Sequence, residues 1–313
     1  MRVLILGAGY VGLPLSAELG SQGHKVCAVG RHSGVDITNI ADLKKLGRDW
    51  DCIVNTVSSS RGGLEDYQRV FLEGTRNIIE WLHGAMIGKY IYTSSTSVYG
   101  QTDGSIVDET SPTEPKSETS KILVETEDLL RGFPAIILRL AGIYGPERGH
   151  LFRQYLRGKA VITGDGSRYL NMIHRDDVVR AIVAALQRSE PGGTYNVADD
   201  EPVSELEFFQ WLSKTLKRPM PPFAAAPATR KRGNTNKRVS NRKLREELRC
   251  ELVYPNYRVG YGALIGQPPP GDKTIPKNPA DEPAGTKAQT AAAAQIIPPA
   301  VAIPPESKSP PAT

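Results

Sequence analysis

Three cysteines in 313 residues, Cys27, Cys52 and Cys250, are too few and too scattered for a disulfide framework. They form no CxxC, and two of them fall in apolar runs, so reduced, buried thiols in a cytoplasmic protein are expected. The five histidines (His24, His32, His83, His150, His174) show neither HxxxH nor Cys/His spacing, and no metal is expected. No apolar stretch approaches the ~20 residues that a bilayer span needs. The apolar run at residues 3–6 is too short for the core of an export signal and continues directly into glycines, so no membrane partner is expected. A strong excess of one charge is also missing. The net charge of +5 and pI near 9.0 suit an anionic small molecule, phosphorylated substrates included, and are too mild to indicate a nucleic acid.

What is present begins at the amino terminus. Val3-Leu4-Ile5-Leu6 reads as a buried parallel strand, Gly7-Ala8-Gly9-Tyr10-Val11-Gly12 as a turn, and residues 13–19 as an apolar helix. GxGxxG between strand and helix is the context a dinucleotide fingerprint requires. Gly7 allows the tight turn, Gly9 lets the backbone approach a pyrophosphate, and Gly12 lets the helix pack closely. Tyr10 and Val11 lead into a helix N-terminus that supplies partial positive charge. The cofactor-binding candidates are therefore Gly7, Gly9, Tyr10, Val11 and Gly12. The bland alternative is a glycine-rich turn without a ligand, and a second strand at 25–29, at the right distance, favours the cofactor.

The end of that second strand indicates which dinucleotide. An Asp or Glu there would accept hydrogen bonds from the ribose hydroxyls of NAD. This chain has Gly30-Arg31-His32-Ser33, with no carboxylate before Asp36. Arg31 can grip a 2′-phosphate and Ser33 can donate to it, so NADP is preferred over NAD, the alternative being a solvated loop arginine. Strand and helix patterns then alternate: strand 51–55, amphipathic helix 64–83, strand 89–94, helix 117–131, strand 134–140. That alternation, with mostly apolar strands, predicts an α/β fold, a Rossmann-type doubly wound parallel sheet covered on both faces.

The stretch Ser94-Ser95-Thr96-Ser97-Val98-Tyr99-Gly100, followed by Pro115-Lys116-Ser117-Glu118-Thr119-Ser120-Lys121, resembles the active-site segment of extended short-chain dehydrogenases/reductases, the NAD(P)-dependent epimerase/dehydratase family. In that family a tyrosine lies four residues before the lysine. Here the slot holds Ser117. The resemblance implies that Lys121 orients the nicotinamide ribose, that Ser95 hydrogen-bonds a substrate oxygen, and that Asp36-Ile37 touches the adenine. A phenol drawn toward neutrality by an ammonium can carry the proton that accompanies a hydride; a serine hydroxyl cannot. Ser117 and Lys121, at i and i+4, are expected to share a helix face. Tyr99, Tyr144 or a water held by Ser117 and Lys121 are the candidate replacements for the absent phenol.

Further phrases extend the resemblance over nearly all of residues 1–265: Leu138-Arg139 to Tyr144-Gly145-Pro146, Asn171-Met172-Ile173-His174-Arg175-Asp176-Asp177, and Tyr195-Asn196-Val197-Ala198. It implies a cofactor domain at 1–145 and 171–198 and a smaller C-terminal α/β substrate lobe at 146–170 and 199–266. Arg139 is also explicable as an interior arginine paired with a carboxylate, and Asp177 as a helix cap or a substrate contact. Residues 230–249 hold nine basic residues against Glu246 and Glu247, either a diphosphate contact or a solvated face. Residues 267–313 contain twelve of the 24 prolines and almost no aromatics, and are expected to be a disordered Pro/Ala-rich tail.

Three functions follow. The first is an NADP-dependent oxidoreductase of the epimerase/dehydratase kind acting on a nucleotide sugar or related carbonyl or carbinol. The second is a non-catalytic NADP(H) sensor. The third, a nucleotide-sugar 6-dehydrogenase, rests on Gly7 to Leu15 and is disfavoured because Cys250 lacks the glycine-rich loop of that enzyme's nucleophile. A homodimer is an expectation from resemblance.

Overall fold

Val3, Leu4, Ile5 and Leu6 offer no polar side chain to either side, so the strand they form can persist only where both faces are covered. In the computed structural model, which describes residues 1–59, 62–225 and 234–266, all four are fully buried. This strand, β1 (Arg2–Leu6), lies between β2 (Lys25–Val29) and β3 (Cys52–Asn55). Beyond β3 follow β4 (Lys89–Ser95), β5 (Ala135–Leu140) and β6 (Thr194–Val197), giving the order β6-β5-β4-β3-β1-β2 with every neighbouring pair parallel. The doubly wound parallel sheet expected from the alternation is therefore present. The chain leaves β1 toward one edge and, after β2, returns to the other side of β1. The crevice at such a reversal, above the carboxyl ends of β1 and β3, is where open α/β sheets bind ligands.

On one face, Leu15 and Leu19 of the helix Gly12–Ser21 share a core with Ala181, Ile182 and Ala185 of the helix Arg175–Arg188. On the other, Leu4, Leu6, Ile53, Tyr90 and Tyr92 pack with Ile78 and Trp81. The helix expected over 64–83 forms in three pieces, Leu64–Tyr67, a π turn at Gln68–Glu73, and Gly74–Trp81. Periodicity of 3.6 cannot reveal one inserted residue. Gly74, where the last piece begins, lets Ile37 pack closely, since a Cβ there would lie 2.7 Å from Ile37 Cδ1. Cys52 and Cys250 are buried and Cys27 half-buried, all unpaired, and burial pushes the first two thiols up to about 12 and about 11.

A third core lies outside the sheet and is aromatic: Tyr144, Tyr155, Phe208, Phe209, Tyr257 and Tyr261. It joins the helices His150–Leu156, Glu205–Leu216 and Tyr257–Ile265. Glu205–Leu216 starts in a capping box, with Ser204 Oγ accepting from Glu207 N at 3.1 Å and Glu207 Oε2 accepting from Ser204 N at 3.2 Å. The expected tail, 267–313, and the start of the basic stretch, Arg230-Lys231-Arg232, lie outside the described residues.

Asp199, just past β6, is 1% exposed, and its Oδ2 has no hydrogen-bond partner. Burial pushes its carboxyl well above the ordinary range. As pH rises from the unfolded carboxylate value toward the folded one, the unfolded chain releases this proton first and stability falls. Asp199→Asn removes that penalty while keeping the shape. Thermal unfolding should show a melting temperature several degrees above wild type at pH 7 and little difference at pH 3; an equal or lower value at pH 7 contradicts the assignment.

Candidate cofactor and active site

The chain turns at the carboxyl end of β1 through Gly7, whose φ of +109° disfavours any side chain. The amides of Gly7 and Ala8 donate to Val29 O at 2.8 and 2.9 Å, which ties the turn to β2. A Cβ on Gly7 would stand 2.8 Å from the Thr56 carbonyl carbon and the Val57 nitrogen, and one on Gly12 only 2.0 Å from Gly7 O. Both glycines are required by the protein's own packing. Gly9 differs, because a Cβ there would meet nothing within 4 Å. A bare backbone facing open space beside a helix N-terminus fits an anion arriving from outside, and the pyrophosphate of a dinucleotide is such a group.

The open space is a cleft of about 650 Å³. Its walls come from the carboxyl ends of β1 to β5, with Gly9, Tyr10 and Val11 in the middle. At one end stand Arg31, Ser33, Asp36 and Ile37; at the other Ser95, Leu140, Ala141 and Arg148. Ser33 Oγ accepts from Gly30 N and donates to Gly30 O, both at 2.9 Å, so its proton is already used locally. Asp36 Oδ1 accepts from Thr38 N at 2.9 Å and Thr38 Oγ1 at 2.8 Å. Ile37 is buried. A residue that the sequence reading overlooked joins this end: Arg69, projecting from the π turn and paired with Asp66 at 2.8 Å.

Ser95 lines the far end and caps a short turn, Thr96–Val98, by accepting from Ser97 N at 3.2 Å. Ser117 behaves differently from a first-turn residue. It is the N-cap of Glu118–Leu129, its Oγ accepting from Ser120 N at 3.3 Å and its carbonyl from Lys121 N at 3.0 Å, so the helix begins one residue later than expected. Serine favours that position because its short hydroxyl reaches back to a free amide, which a phenol cannot do. Lys121 pairs with Glu118 Oε1 at 2.7 Å, its side chain is 58% exposed, and it is absent from the walls of the cleft.

The two tyrosines named as proton carriers are buried. Tyr99 OH accepts from Arg139 Nη1 at 2.8 Å and donates to Asn196 Oδ1 at 2.9 Å. Arg139 in turn forks onto Glu127, with Nη2 2.7 Å from Oε2, and Ser94 Oγ donates to Glu127 Oε1 at 2.5 Å. Arg139 is thus an interior arginine paired with a carboxylate. Burial raises the Tyr99 phenol above its ordinary value, opposed by the adjacent guanidinium. Tyr144 stacks on Tyr261 at 4.3 Å between ring centres, and burial raises its phenol further. Glu127 was legible, as the acidic residue on the buried face of Glu118–Leu129, opposite an arginine in an otherwise apolar strand. Lys237 was not. It is 5% exposed, donates to Tyr99 O at 2.8 Å, and burial pushes its ammonium down to about 8.

Tyr10 lies between two guanidiniums, Arg148 and Arg175, 5.0 and 5.3 Å from its ring centre, and donates to Pro146 O at 2.9 Å. Burial pushes this phenol up to about 12. His174 caps the helix Arg175–Arg188 by accepting from Asp176 N at Nδ1, 3.2 Å away, and burial pushes it down to about 4. Asp177 is therefore neither cap nor cleft residue; its carboxylate accepts from Val253 N and Tyr254 N at 2.7 and 2.9 Å. Among the described residues no His/Cys/Asp/Glu group could hold a metal, and no helix is long and apolar enough to cross a membrane.

Residues 3–198 match the NAD dependent epimerase/dehydratase family, and the chain belongs to it. Protein YeeZ of Escherichia coli K12 is 30% identical over 277 residues, covering 82% of this chain and 97% of its own. The 3-diazoavenalumate denitrifying reductase of a Streptomyces species is 27% identical over 307 residues, covering 84% and 99%. A solved structure from Methylobacillus flagellatus, described as an NAD-dependent epimerase/dehydratase, superposes with a TM-score of 0.72 at 31% identity, covering 84% of this chain and 97% of that one.

Proposed function

We propose that the protein binds NADP(H) in preference to NAD(H) in the cleft above β1 and β3, and moves a hydride between it and a carbonyl or carbinol carbon of a nucleotide sugar or related substrate. The observation that carries this reading is Gly9, where a side chain would meet nothing within 4 Å, so the chain at the helix N-terminus is open to an arriving group. Bound there, the cofactor supplies hydride donor or acceptor chemistry. Gly9, Tyr10 and Val11 would hold the pyrophosphate, Arg31 the 2′-phosphate, and Asp36 with Ile37 the adenosine. Ser95 would position the substrate oxygen. The aromatic third core would form the substrate lobe, residues 146–170 and 199–266, with the sheet at 1–145 and 171–198 as the cofactor domain. A cytoplasmic homodimer completes the proposal.

The proton that accompanies the hydride would come from water in the cleft. Tyr99 is held by Arg139 and Asn196, and Tyr144 is packed in aromatic rings. NADPH oxidation followed by absorbance against a panel of nucleotide sugars and small carbonyl compounds tests this directly. Turnover with at least one is expected, unchanged in Tyr144→Phe and about 100-fold slower in Ser95→Ala, the usual loss for one oxygen-stabilising donor. Full activity in Ser95→Ala would remove its role. A second reading, a cofactor sensor without chemistry, is favoured by one observation: Ser117 and Lys121 serve as a helix cap and a surface ion pair. NADPH binding without oxidation of any panel member would select it.

A further inference from the structure

The cleft ends at Arg31 in a way that the strand-end sequence alone does not explain. A second guanidinium, that of Arg69, lines the same end and comes from a different element, the π turn Gln68–Glu73. Such turns break the regular side-chain register of a helix and recur at functional sites. Three carboxylates act on Arg69, those of Asp66, Asp36 and Glu73, and only Asp36 lines the cleft. Asp36 directs Oδ1 onto the amide and hydroxyl of Thr38, at 2.9 and 2.8 Å. Asp66 holds the Arg69 guanidinium at 2.8 Å yet is itself absent from the cleft wall, so it grips the arginine from behind. The Asp66 carboxyl is held below its ordinary range by the hydrogen bond from Arg69 first and, more weakly, by the charge of Arg31. The two guanidiniums therefore lie within electrostatic reach of one small anionic group.

We propose that Arg69 is a second ligand of the adenosine 2′-phosphate, acting with Arg31 to set preference for the phosphorylated dinucleotide. This rests on the NADP reading above and assigns its specificity to a residue pair drawn from two elements. A 2′-phosphate is close to doubly charged and offers three acceptor oxygens, enough for two arginine forks approaching from separate walls. NAD(H), with a ribose hydroxyl in that place, gives these guanidiniums nothing equivalent to bind.

The test is calorimetric titration of the full chain with NADPH, NADH, 2′,5′-ADP and ADP, in wild type, Arg69→Gln and Arg31→Gln. Arg69 and Asp66 are 44% and 43% exposed, so the substitution should leave the fold and its melting temperature intact. Arg69→Gln is expected to weaken NADPH and 2′,5′-ADP by ~10-fold or more, the usual loss for one charged hydrogen-bond partner, and to leave NADH and ADP within ~2-fold. Equal weakening of phosphorylated and unphosphorylated ligands, or no change in either, overturns the assignment while wild-type preference for NADPH still stands. Wild type that binds NADH as tightly as NADPH overturns the NADP reading itself, and this inference with it.

Discussion

Arg139→Met should lower folding stability by about 3–5 kcal/mol, the cost of leaving one buried charge without its partner. The side chains of Arg139 and Glu127 are 9% and 6% exposed, and the guanidinium makes three contacts to Glu127 and one to Tyr99. Removing it strands the Glu127 carboxylate, to which, among the described residues, Ser94 Oγ alone remains as a donor, and the Tyr99 hydroxyl loses its donor. Urea unfolding of Arg139→Met and Glu127→Leu, singly and together, measures this. Each single change should be severe, and the double change should recover a large part of the loss, because an apolar pair of similar volume leaves no charge uncompensated. Additive losses in the double variant would mean that the two residues act independently.

Gly9→Ala is the second large effect, and it falls on binding instead of stability. In the free protein the new methyl group would meet nothing within 4 Å, and Gly9 is not among the positive-φ glycines, so the melting temperature should match wild type. In the complex that methyl would occupy the space reserved for the pyrophosphate, and NADPH affinity should fall by ~100-fold or more, about 3 kcal/mol. Gly12→Ala gives the opposite control, since its Cβ would lie 2.0 Å from Gly7 O and disturb the turn even without ligand. Unfolding curves for both variants, read beside NADPH titrations, separate a ligand-facing glycine from a packing one. Wild-type NADPH affinity in Gly9→Ala would contradict the cradle.

Much of the fold was legible because it depends on patterns that sterics impose. Val3 to Leu6 could only be a buried strand, and the glycine spacing after it could only be a tight turn into a helix. The strand expected at 51–55 forms at Cys52–Asn55, and that at 134–140 forms at Ala135–Leu140. The site was less legible, for specific reasons. Ser117 in sequence is equally a first-turn residue or a cap, and only the hydrogen bond from Ser120 N decides. Arg69 lies in an amphipathic stretch whose π turn leaves no mark on periodicity. Lys237 reads as one member of a basic run, yet it is buried against a backbone carbonyl. Asp177 carries a loop through two backbone amides some 76 residues away, a contact that no local pattern encodes.

Everything proposed for the cleft depends on whether the turn after β1 receives the paired phosphates of a nicotinamide dinucleotide. Titrating the purified chain with NADPH in a calorimeter, in dilute buffer, tests it most directly. Saturable binding of one equivalent, tighter than that of NADH and weakened by salt, is expected. Absence of heat with both nucleotides, from protein whose unfolding transition proves it folded, would contradict it.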